Sequence, residues 1–288
     1  MMTPIKLSVV IPSYKDPYLH KTIESLLTNS GLGDRLEIVV CLDGYWPDTP
    51  VVNDSRVRVV HLGSNRGMRG AINAGVAVAR GEYILRADEH NMFGNNYDAI
   101  LTSQCEPNWI MTPRRYFLDV KKWEVMDIPP VDYSRLVIQR VDKKKSEQED
   151  SEDYVEVEGS TIHKFAGQEW KSRTEERKDI AIDETMAMQG SCWIMPHKWW
   201  DDVIGELQTE GYGPLYQDSH EMVFKTWKAG GKLMVNKNTW HAHKHRSFSR
   251  THNNGTLENP SNNEACWAYS LKVWEDYYKK EIAPRWGL

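Results

Sequence analysis

The sequence has few cysteines and no long hydrophobic run. Its four cysteines are widely spaced and include no C-x-x-C pair, which excludes a disulfide-stabilised scaffold and favours a reducing compartment. No stretch approaches the roughly 18 apolar residues that a membrane-spanning helix needs. The first residues run directly into a strand-like stretch and lack the layout of a signal peptide. We therefore expect a cytoplasmic protein without integral membrane contact.

Acidic charge is concentrated in one stretch of the chain. The sequence has 36 Lys and Arg against 41 Asp and Glu, a net charge of −5. Residues 142–158 contain eight of these acids and only three lysines, so the charges of the remaining chain balance. We predict that residues Lys143–Asp153 within this stretch form a solvated loop, and that the rest of the molecule can carry local basic patches.

The first 90 residues alternate between short apolar runs and helical patterns. Strands are predicted at Leu7–Ile11, Leu36–Leu42, Val57–Val60 and Glu82–Ala87, and helices after Asp16-Pro17 and at Met68–Arg80, the latter closed by Gly81. This order is typical of an α/β fold, a mostly parallel sheet flanked by helices. Ligands of such sheets bind beyond the carboxyl ends of the strands. Asp43 and Asp88 are predicted to lie there.

The rest of the chain divides into a charged middle and a more regular end. Residues 123–189 have weak periodicity and are predicted to be an insertion with long loops. Regular patterning returns at Gly190. It predicts a helix from Asp218, a strand at Lys232–Val235, a polar loop at Thr239–Asn254 and a final helix at about Asn263–Lys280. We expect a single domain with a long charged insertion.

Asp88 and His90 form a candidate metal site at the end of the fourth predicted strand. Two residues apart on an extended backbone, their side chains leave the same face and can share one divalent cation. A third ligand is available from His241, His243 or His245, which alternate in the same way if their segment is extended. The competing interpretations are a strand end whose side chains bind loop amides, and a solvated histidine loop.

Three stretches of the first half carry a resemblance to a known family. They are Leu7-Ser-Val-Val-Ile-Pro-Ser-Tyr14, Ile38-Val-Val-Cys-Leu-Asp43-Gly44, and the run from Asn65-Arg-Gly through Asn73-Ala-Gly75 to Asp88. Together they resemble the nucleotide-sugar half of GT-A glycosyltransferases, in particular the family-two-like group with many bacterial and phage polysaccharide and capsule enzymes. Asp88-Glu89-His90 stands in the place of the D-x-D of that group. This D-x-H variant is similar to that of the polypeptide N-acetylgalactosaminyltransferases.

Two stretches of the second half agree with this resemblance. The run from Asp218-Ser-His-Glu221 to Gly231 resembles the G-E-N-x-E-x-S-x-R-x-W-x-C-G-G stretch of the N-acetylgalactosaminyltransferases. Ala242-His243-Lys-His-Arg246 resembles their G-H-x-x-R, whose histidine is the third metal ligand. The resemblance therefore singles out His243 among the three histidines.

The resemblance implies one GT-A domain over residues 1–288. Its parts are a nucleotide-sugar half (1–122), the insertion (123–189) and an acceptor-side half with the C-terminal helix (190–288). The implied activity is metal-dependent transfer of a sugar from a nucleotide-diphosphate sugar, UDP-linked, to an acceptor hydroxyl. The implied cofactor is Mn²⁺, or Mg²⁺, bound by Asp88, His90 and His243.

The remaining site residues follow from the resemblance and, for Arg66, Arg69 and Glu221, from their places along the chain: the two arginines lie between the third strand and Asp88, and Glu221 lies one helical turn after Asp218. Those expected to bind the donor are Pro12, Ser13, Tyr14, Asp43, Arg66, Arg69, Asp88 and Trp193. The candidate catalytic residues are Asp218 and Glu221. Asp218 takes the place of the general base of inverting members, whereas the similar N-acetylgalactosaminyltransferases retain configuration and use no such base. The stereochemistry of the transfer therefore stays open.

Two other functions and several acceptors compete. A sugar nucleotidyltransferase shares the sheet type but needs a glycine-rich phosphate loop after the first strand, which Pro12-Ser-Tyr-Lys-Asp-Pro17 lacks. A catalytically inactive GT-A-fold binding module is the other alternative. The acceptor is a glycan, a protein side chain or a hydroxymethylated DNA base. The basic runs Arg114-Arg115, Lys121-Lys122 and Lys244–Arg250 could meet phosphates, and a small chain of this pattern resembles phage-encoded members that act in the host cytoplasm.

Overall fold

The computed structural model describes residues 4–141, 162–244 and 260–288, with side chains of the last range from residue 264. The acidic stretch 142–158, including the predicted solvated loop Lys143–Asp153, lies outside the described residues, as do His245 and most of the last basic run. Within the described ranges we find no helix with both the length and the hydrophobicity of a membrane-spanning segment.

Twelve strands are present in the described ranges. They are β1 (Leu7–Ser13), β2 (Leu36–Asp43), β3 (Val57–Leu62), β4 (Tyr83–Ala87), β5 (Asn91–Phe93), β6 (Trp109–Asp119), β7 (Glu124–Val125), β8 (Ser134–Val141), β9 (Ile162–Glu169), β10 (Ile182–Glu184), β11 (Cys192–Pro196) and β12 (Lys232–His243).

The helices of the described ranges alternate with these strands. They are α1 (Leu19–Thr28), α2 (Gly67–Val78), α3 (Tyr97–Gln104), α4 (Lys171–Glu176), α5 (His197–Trp199), α6 (Asp218–Lys228), α7 (Pro260–Tyr277) and α8 (Ala283–Arg285). A π-helical turn, Trp200–Ile204, follows α5, and a second one, Tyr278–Ile282, joins α7 to α8.

One large sheet forms the centre of the molecule. Its strand order is β10-β12-β6-β11-β4-β1-β2-β3, with β5 paired to β12 and β7 paired to β6. Neighbours from β4 to β3 are parallel, as are β12 and β6, whereas β11 is antiparallel to both of its neighbours. The predicted α/β fold is confirmed, and the sheet is mixed.

Side chains of the sheet alternate between two hydrophobic layers. Val9 of β1 packs with α1 and α3, while its neighbour Val10 packs with α2 on the opposite face. Every residue of β1 and β2 is buried, as expected of parallel strands that are covered on both faces. The carboxyl ends of these strands are therefore held rigidly at one edge of the sheet.

Small residues of α2 allow it to lie close to the sheet, as its composition predicts. A Cβ atom at Gly75 would lie 2.4 Å from Cγ1 of Val10 and 2.7 Å from Sγ of Cys41. Gly81, predicted to close this helix in a left-handed conformation, does not do so, because α2 already ends at Val78. Gly81 is required instead by a close approach, since its Cβ would lie 2.5 Å from the backbone nitrogen of Ser8.

Two predictions for the second half of the chain are wrong in part. The predicted loop at Thr239–Asn254 begins as strand, because β12 continues to His243 and pairs with β6 and β5. The predicted long loops of residues 123–189 include β8 and β9, which form a separate two-stranded antiparallel sheet. Their periodicity is weak because both strands bury only some of their side chains.

Candidate active site

A cavity of about 360 Å³ opens at the carboxyl ends of β1, β2 and β4. Many of the predicted site residues meet there. The residues that line it are Pro12, Ser13, Tyr14, Asp43, Met68, Ala71, Asp88, His90, Leu215, Tyr216, Gln217, Asp218 and His243. Residues from both halves of the chain thus converge on one cavity, at the place where α/β sheets bind their ligands.

Asp88, His90 and His243 bring three ligand atoms together. Nε2 of His243 lies 3.1 Å from Oδ2 of Asp88 and 3.0 Å from Nε2 of His90. The third distance, from Nε2 of His90 to Oδ2 of Asp88, is 3.9 Å. Ligands about 2.1 Å from one cation and at right angles to each other are about 3 Å apart. The three atoms therefore fit a single divalent cation.

The sheet explains how residues so distant in sequence meet. β5 follows directly after His90 and pairs antiparallel with the end of β12, which places His243 opposite Asn91. Thr22 of α1 fixes the turn before β5, since its hydroxyl hydrogen-bonds the backbone oxygens of Glu89 and Asn91 at 2.7 and 3.0 Å. The histidine ligand is thus positioned by backbone pairing and not by a loop.

Asp16 fixes the orientation of His90, a role that the sequence did not indicate. Its Oδ2 lies 3.1 Å from Nδ1 of His90, so Nδ1–H donates to the carboxylate and Nε2 is left to face the other ligands. Carboxylates commonly hold metal-binding histidines in this way. The sequence pattern predicts only that Asp16 begins a helix, and no spacing rule connects it with a residue 74 positions later.

The charge of Asp88 is set by its surroundings. Burial works to raise the pKa of this carboxyl, but Arg86 and the two histidines outweigh burial and hold the pKa well below its usual range. Nη2 of Arg86 donates to Oδ1 of Asp88 at 2.7 Å. Asp88 is therefore an ionised carboxylate, the form that a cation requires.

Asp43 and Asp218 add two further carboxylates to the lining of the cavity. Oδ1 and Oδ2 of Asp43 accept the backbone N–H groups of Arg66 and Gly67 at 2.6 and 2.8 Å, so Asp43 caps the start of α2. Asp218 is buried at the start of α6, and burial raises its pKa against the lowering effect of Arg86 and Arg69. A buried carboxylate of raised pKa is a suitable proton acceptor.

Four predicted site residues do not line the cavity. Arg69 and Glu221 form a fully buried ion pair, and Arg69 also donates to the backbone oxygens of Tyr216 and Gln208. Trp193 is fully buried and stacks on Trp200, with ring centroids 6.0 Å apart. Arg66 is exposed and lines a separate cavity beside α2.

Part of the predicted basic surface is engaged inside the protein. Arg114 forms a bidentate ion pair with Asp132, in which Nε and Nη2 donate to the two carboxylate oxygens at 2.8 and 2.7 Å. Arg115 is buried and packs over the ring of Phe117, and burial lowers its pKa to about 10. Only Lys121 and Lys122 among these four cations are exposed. Arg114-Arg115 is therefore not a phosphate-binding patch.

The first part of the chain matches a known family model, described as Glycosyl transferase family 2, over residues 8–127. Residues 8–127 are therefore similar to glycosyl transferase family 2. An uncharacterized glycosyltransferase, EpsJ of Bacillus subtilis, is 33% identical over 115 residues, which are 37% of this chain and 32% of EpsJ. Glycosyltransferase GlyG of Streptococcus pneumoniae is 32% identical over 107 residues, 35% of each chain. The chain thus spans about a third of the length of these relatives.

A solved structure shares the fold of nearly the whole chain. The crystal structure of GalNAc-T7 with UDP, GalNAc and Mn²⁺ superposes with a TM-score of 0.67 and 16% identity, covering 97% of this chain and 50% of that one. The fold is therefore GT-A, as predicted. The match includes the second half of the chain, which the family model does not reach.

Proposed function

We propose that this chain is a metal-dependent glycosyltransferase that moves a sugar from a UDP-linked donor to an acceptor hydroxyl. One observation carries the proposal: the ligand atoms of Asp88, His90 and His243 meet within 4.8 Å in a cavity at the carboxyl edge of a GT-A sheet. The family of the first half and the UDP and Mn²⁺ in the GalNAc-T7 crystal support it.

The protein groups have distinct tasks in this reaction. Asp88, His90 and His243 bind the cation, for which oxygen and imidazole ligands suit Mn²⁺ or Mg²⁺. When bound, it supplies positive charge that stabilises the diphosphate as the bond to the sugar breaks. Pro12, Ser13 and Tyr14 hold the nucleoside side of the donor.

Asp218 has its task on the acceptor side of the cavity. It accepts the proton of the acceptor hydroxyl or holds a hydroxyl of the transferred sugar. Both tasks suit a carboxylate that lines the cavity at the start of α6. The first task belongs to an inverting enzyme and the second to a retaining one.

A glycan hydroxyl is the acceptor that we favour. Of the basic residues expected to meet nucleic acid, Arg114 and Arg115 are engaged internally, which removes part of the support for a DNA acceptor. The runner-up acceptor is a hydroxymethylated DNA base. Parallel transfer assays with both acceptor classes, using radiolabelled donor, distinguish the two.

The proposal is tested by thermal unfolding with nucleoside diphosphates and nucleotide sugars, each with Mn²⁺ and with EDTA. At a concentration 100-fold above Kd, a ligand of the folded state adds about 2.7 kcal/mol, which corresponds to a rise of about 5 °C in Tm. We expect this rise for UDP and one UDP-sugar, and only with Mn²⁺. If no nucleotide or nucleotide sugar changes Tm, the chain is the inactive binding module and the proposal fails.

The role of Asp218 is tested by Asp218→Asn. We expect transfer to fall by about 100-fold, the lower range for loss of a general base. Stability to urea should stay the same or rise slightly, because a neutral amide avoids the cost that burial imposes on the carboxylate and that raises its pKa. A fall in stability that accounts for the loss of transfer would instead make Asp218 structural.

A further inference from the structure

Arg86 lies directly beneath the floor of the cavity. It belongs to β4, two residues before Asp88, and is 2% exposed. Its Nη2 donates to Oδ1 of Asp88 at 2.7 Å and lies 3.2 Å from Sδ of Met68. Both of these neighbours line the cavity. A full positive charge is therefore buried one layer below the candidate cation site.

The hydrogen bonds of Arg86 differ from those of the other fully buried arginine. Every guanidinium nitrogen of Arg69 has a partner, on Glu221 or on backbone oxygens. Within the part of the chain that the structure describes, Nε and Nη1 of Arg86 have none. Each such buried group costs about 1–3 kcal/mol. Arg69 therefore has a complete set of hydrogen bonds, whereas Arg86 does not within the described residues.

Arg86 holds one oxygen of Asp88, so that only the other faces the candidate cation site. Because Oδ1 accepts from Arg86, the carboxylate cannot rotate freely, and Oδ2 is left 3.1 Å from Nε2 of His243. Arg86 thus fixes the orientation of Asp88, as Asp16 fixes the orientation of His90. Groups behind a ligand that fix its orientation commonly change metal affinity by about 10- to 100-fold when they are removed.

A second carboxylate lies within the influence of Arg86. Asp218 is buried in the same cavity wall, and its Oδ2 has no hydrogen-bond partner among the described residues. Among the cations near Asp218, Arg86 has the strongest effect in lowering its pKa against burial. The charge of Arg86 thus acts on both the candidate cation site and the candidate catalytic carboxylate.

We propose that Arg86 is a positioning residue of the cation site, which holds Asp88 so that Oδ2 meets the cation. This inference rests on the proposed function. The positive charge of Arg86 also lies near the cation, and charge repulsion alone would weaken binding. Orientation and repulsion therefore make opposite predictions for a variant that lacks the guanidinium.

The test is Mn²⁺ binding by the 288-residue chain without donor or acceptor, measured from the electron paramagnetic resonance signal of free Mn²⁺. We expect Arg86→Met to raise the Kd for Mn²⁺ by at least about 10-fold. Arg86→Lys keeps the positive charge and a single donor nitrogen but lacks the planar, two-pointed geometry of the guanidinium. We therefore expect a smaller rise in the Kd for Mn²⁺. Arg86→Lys also serves as the second variant if Arg86→Met does not fold.

The matched control is Arg58→Met, which removes an arginine from a carboxylate on the same sheet. Arg58 pairs with buried Glu37 at 2.7 Å, and neither residue lines the cavity. Its Kd for Mn²⁺ should equal that of the wild type. Circular dichroism and Tm establish that each variant is folded.

The outcomes separate this inference from the proposed function. If folded Arg86→Met binds Mn²⁺ with unchanged or lower Kd, the positioning role is wrong, while the proposed function stands; a lower Kd would also show that repulsion dominates. If the wild-type protein binds no Mn²⁺ and no UDP-sugar, the proposed function itself fails. A Kd that rises in both Arg86 variants and not in Arg58→Met supports the positioning role.

Discussion

His243→Ala is expected to lower the metal-stimulated release of UDP from its donor by at least about 10³-fold, because the cation contributes several kcal/mol to stabilisation of the leaving diphosphate. The substitution removes one of three ligands, and Nε2 of His90 and Oδ2 of Asp88 remain, 3.9 Å apart. Initial rates over a range of Mn²⁺ concentrations, with and without EDTA, measure the effect.

His241→Ala is the matched comparison for this substitution. His241 precedes His243 by two residues on β12, is buried, and hydrogen-bonds Oγ of Ser191 at 3.3 Å, outside the ligand cluster. Burial also lowers its pKa well below the usual range. We expect this variant to lose some stability and to keep Mn²⁺ stimulation. Equal loss of stimulation in both variants would contradict the assignment of His243.

Asp88→Ala is a less direct test of the same site. It would remove the only hydrogen-bonding carboxylate of Arg86 among the described residues and leave a buried charge unpaired. Asp88→Asn keeps an oxygen that can accept from Arg86 and is the better companion to His243→Ala.

Glu221→Ala is expected to lower the free energy of unfolding by about 3–5 kcal/mol, the range for removal of one partner of a buried ion pair. Its carboxylate is 1% exposed, pairs with Arg69 and lies 2.8 Å from Nζ of Lys225. Without it, Arg69 keeps only backbone acceptors for a fully buried charge. Urea unfolding followed by tryptophan fluorescence measures the loss.

Glu275→Ala is the control for this prediction. Glu275 of α7 pairs with Lys279, four residues on in the π-helical turn that follows, and both side chains are substantially exposed. Such pairs contribute about 0.3–0.5 kcal/mol, so the urea midpoint should hardly change. A small loss of stability for Glu221→Ala, together with a large fall in kcat of the folded protein, would restore Glu221 to the catalytic role that its motif predicts.

The sequence predicted best those site residues that directly follow a predicted strand. Asp88 and His90 follow a strand that is recognisable from its apolar run, and parallel strands present their carboxyl ends at one edge. His243 was found through the resemblance and not through periodicity, since its segment was predicted to be a loop. The continuation of β12 depends on pairing with β5 and β6, which no local pattern contains.

The sequence failed where the fate of a side chain depends on tertiary contacts. Arg69, Glu221 and Trp193 occupy the expected places along the chain, yet all three are enclosed in the interior. The sequence shows that a residue is an arginine, but it does not show whether that arginine binds phosphate or pairs with a buried carboxylate. Asp16 was missed for the same reason, because its partner is set by the packing of the sheet edge. Arg86 differs, since its partner Asp88 lies two residues further along the chain and the alternation of an extended strand places both side chains on one face.

The position of β11 has a consequence for how the chain acquires its structure. β11 lies between β4 and β6, although it follows β6 by more than 70 residues. At about 5–20 residues per second, a ribosome needs several seconds to deliver it, during which both neighbours are unpaired edges prone to intermolecular pairing. The segment that matches the family ends before β11. The yield of native protein therefore depends on whether the incomplete sheet avoids aggregation until the ribosome has synthesised β11.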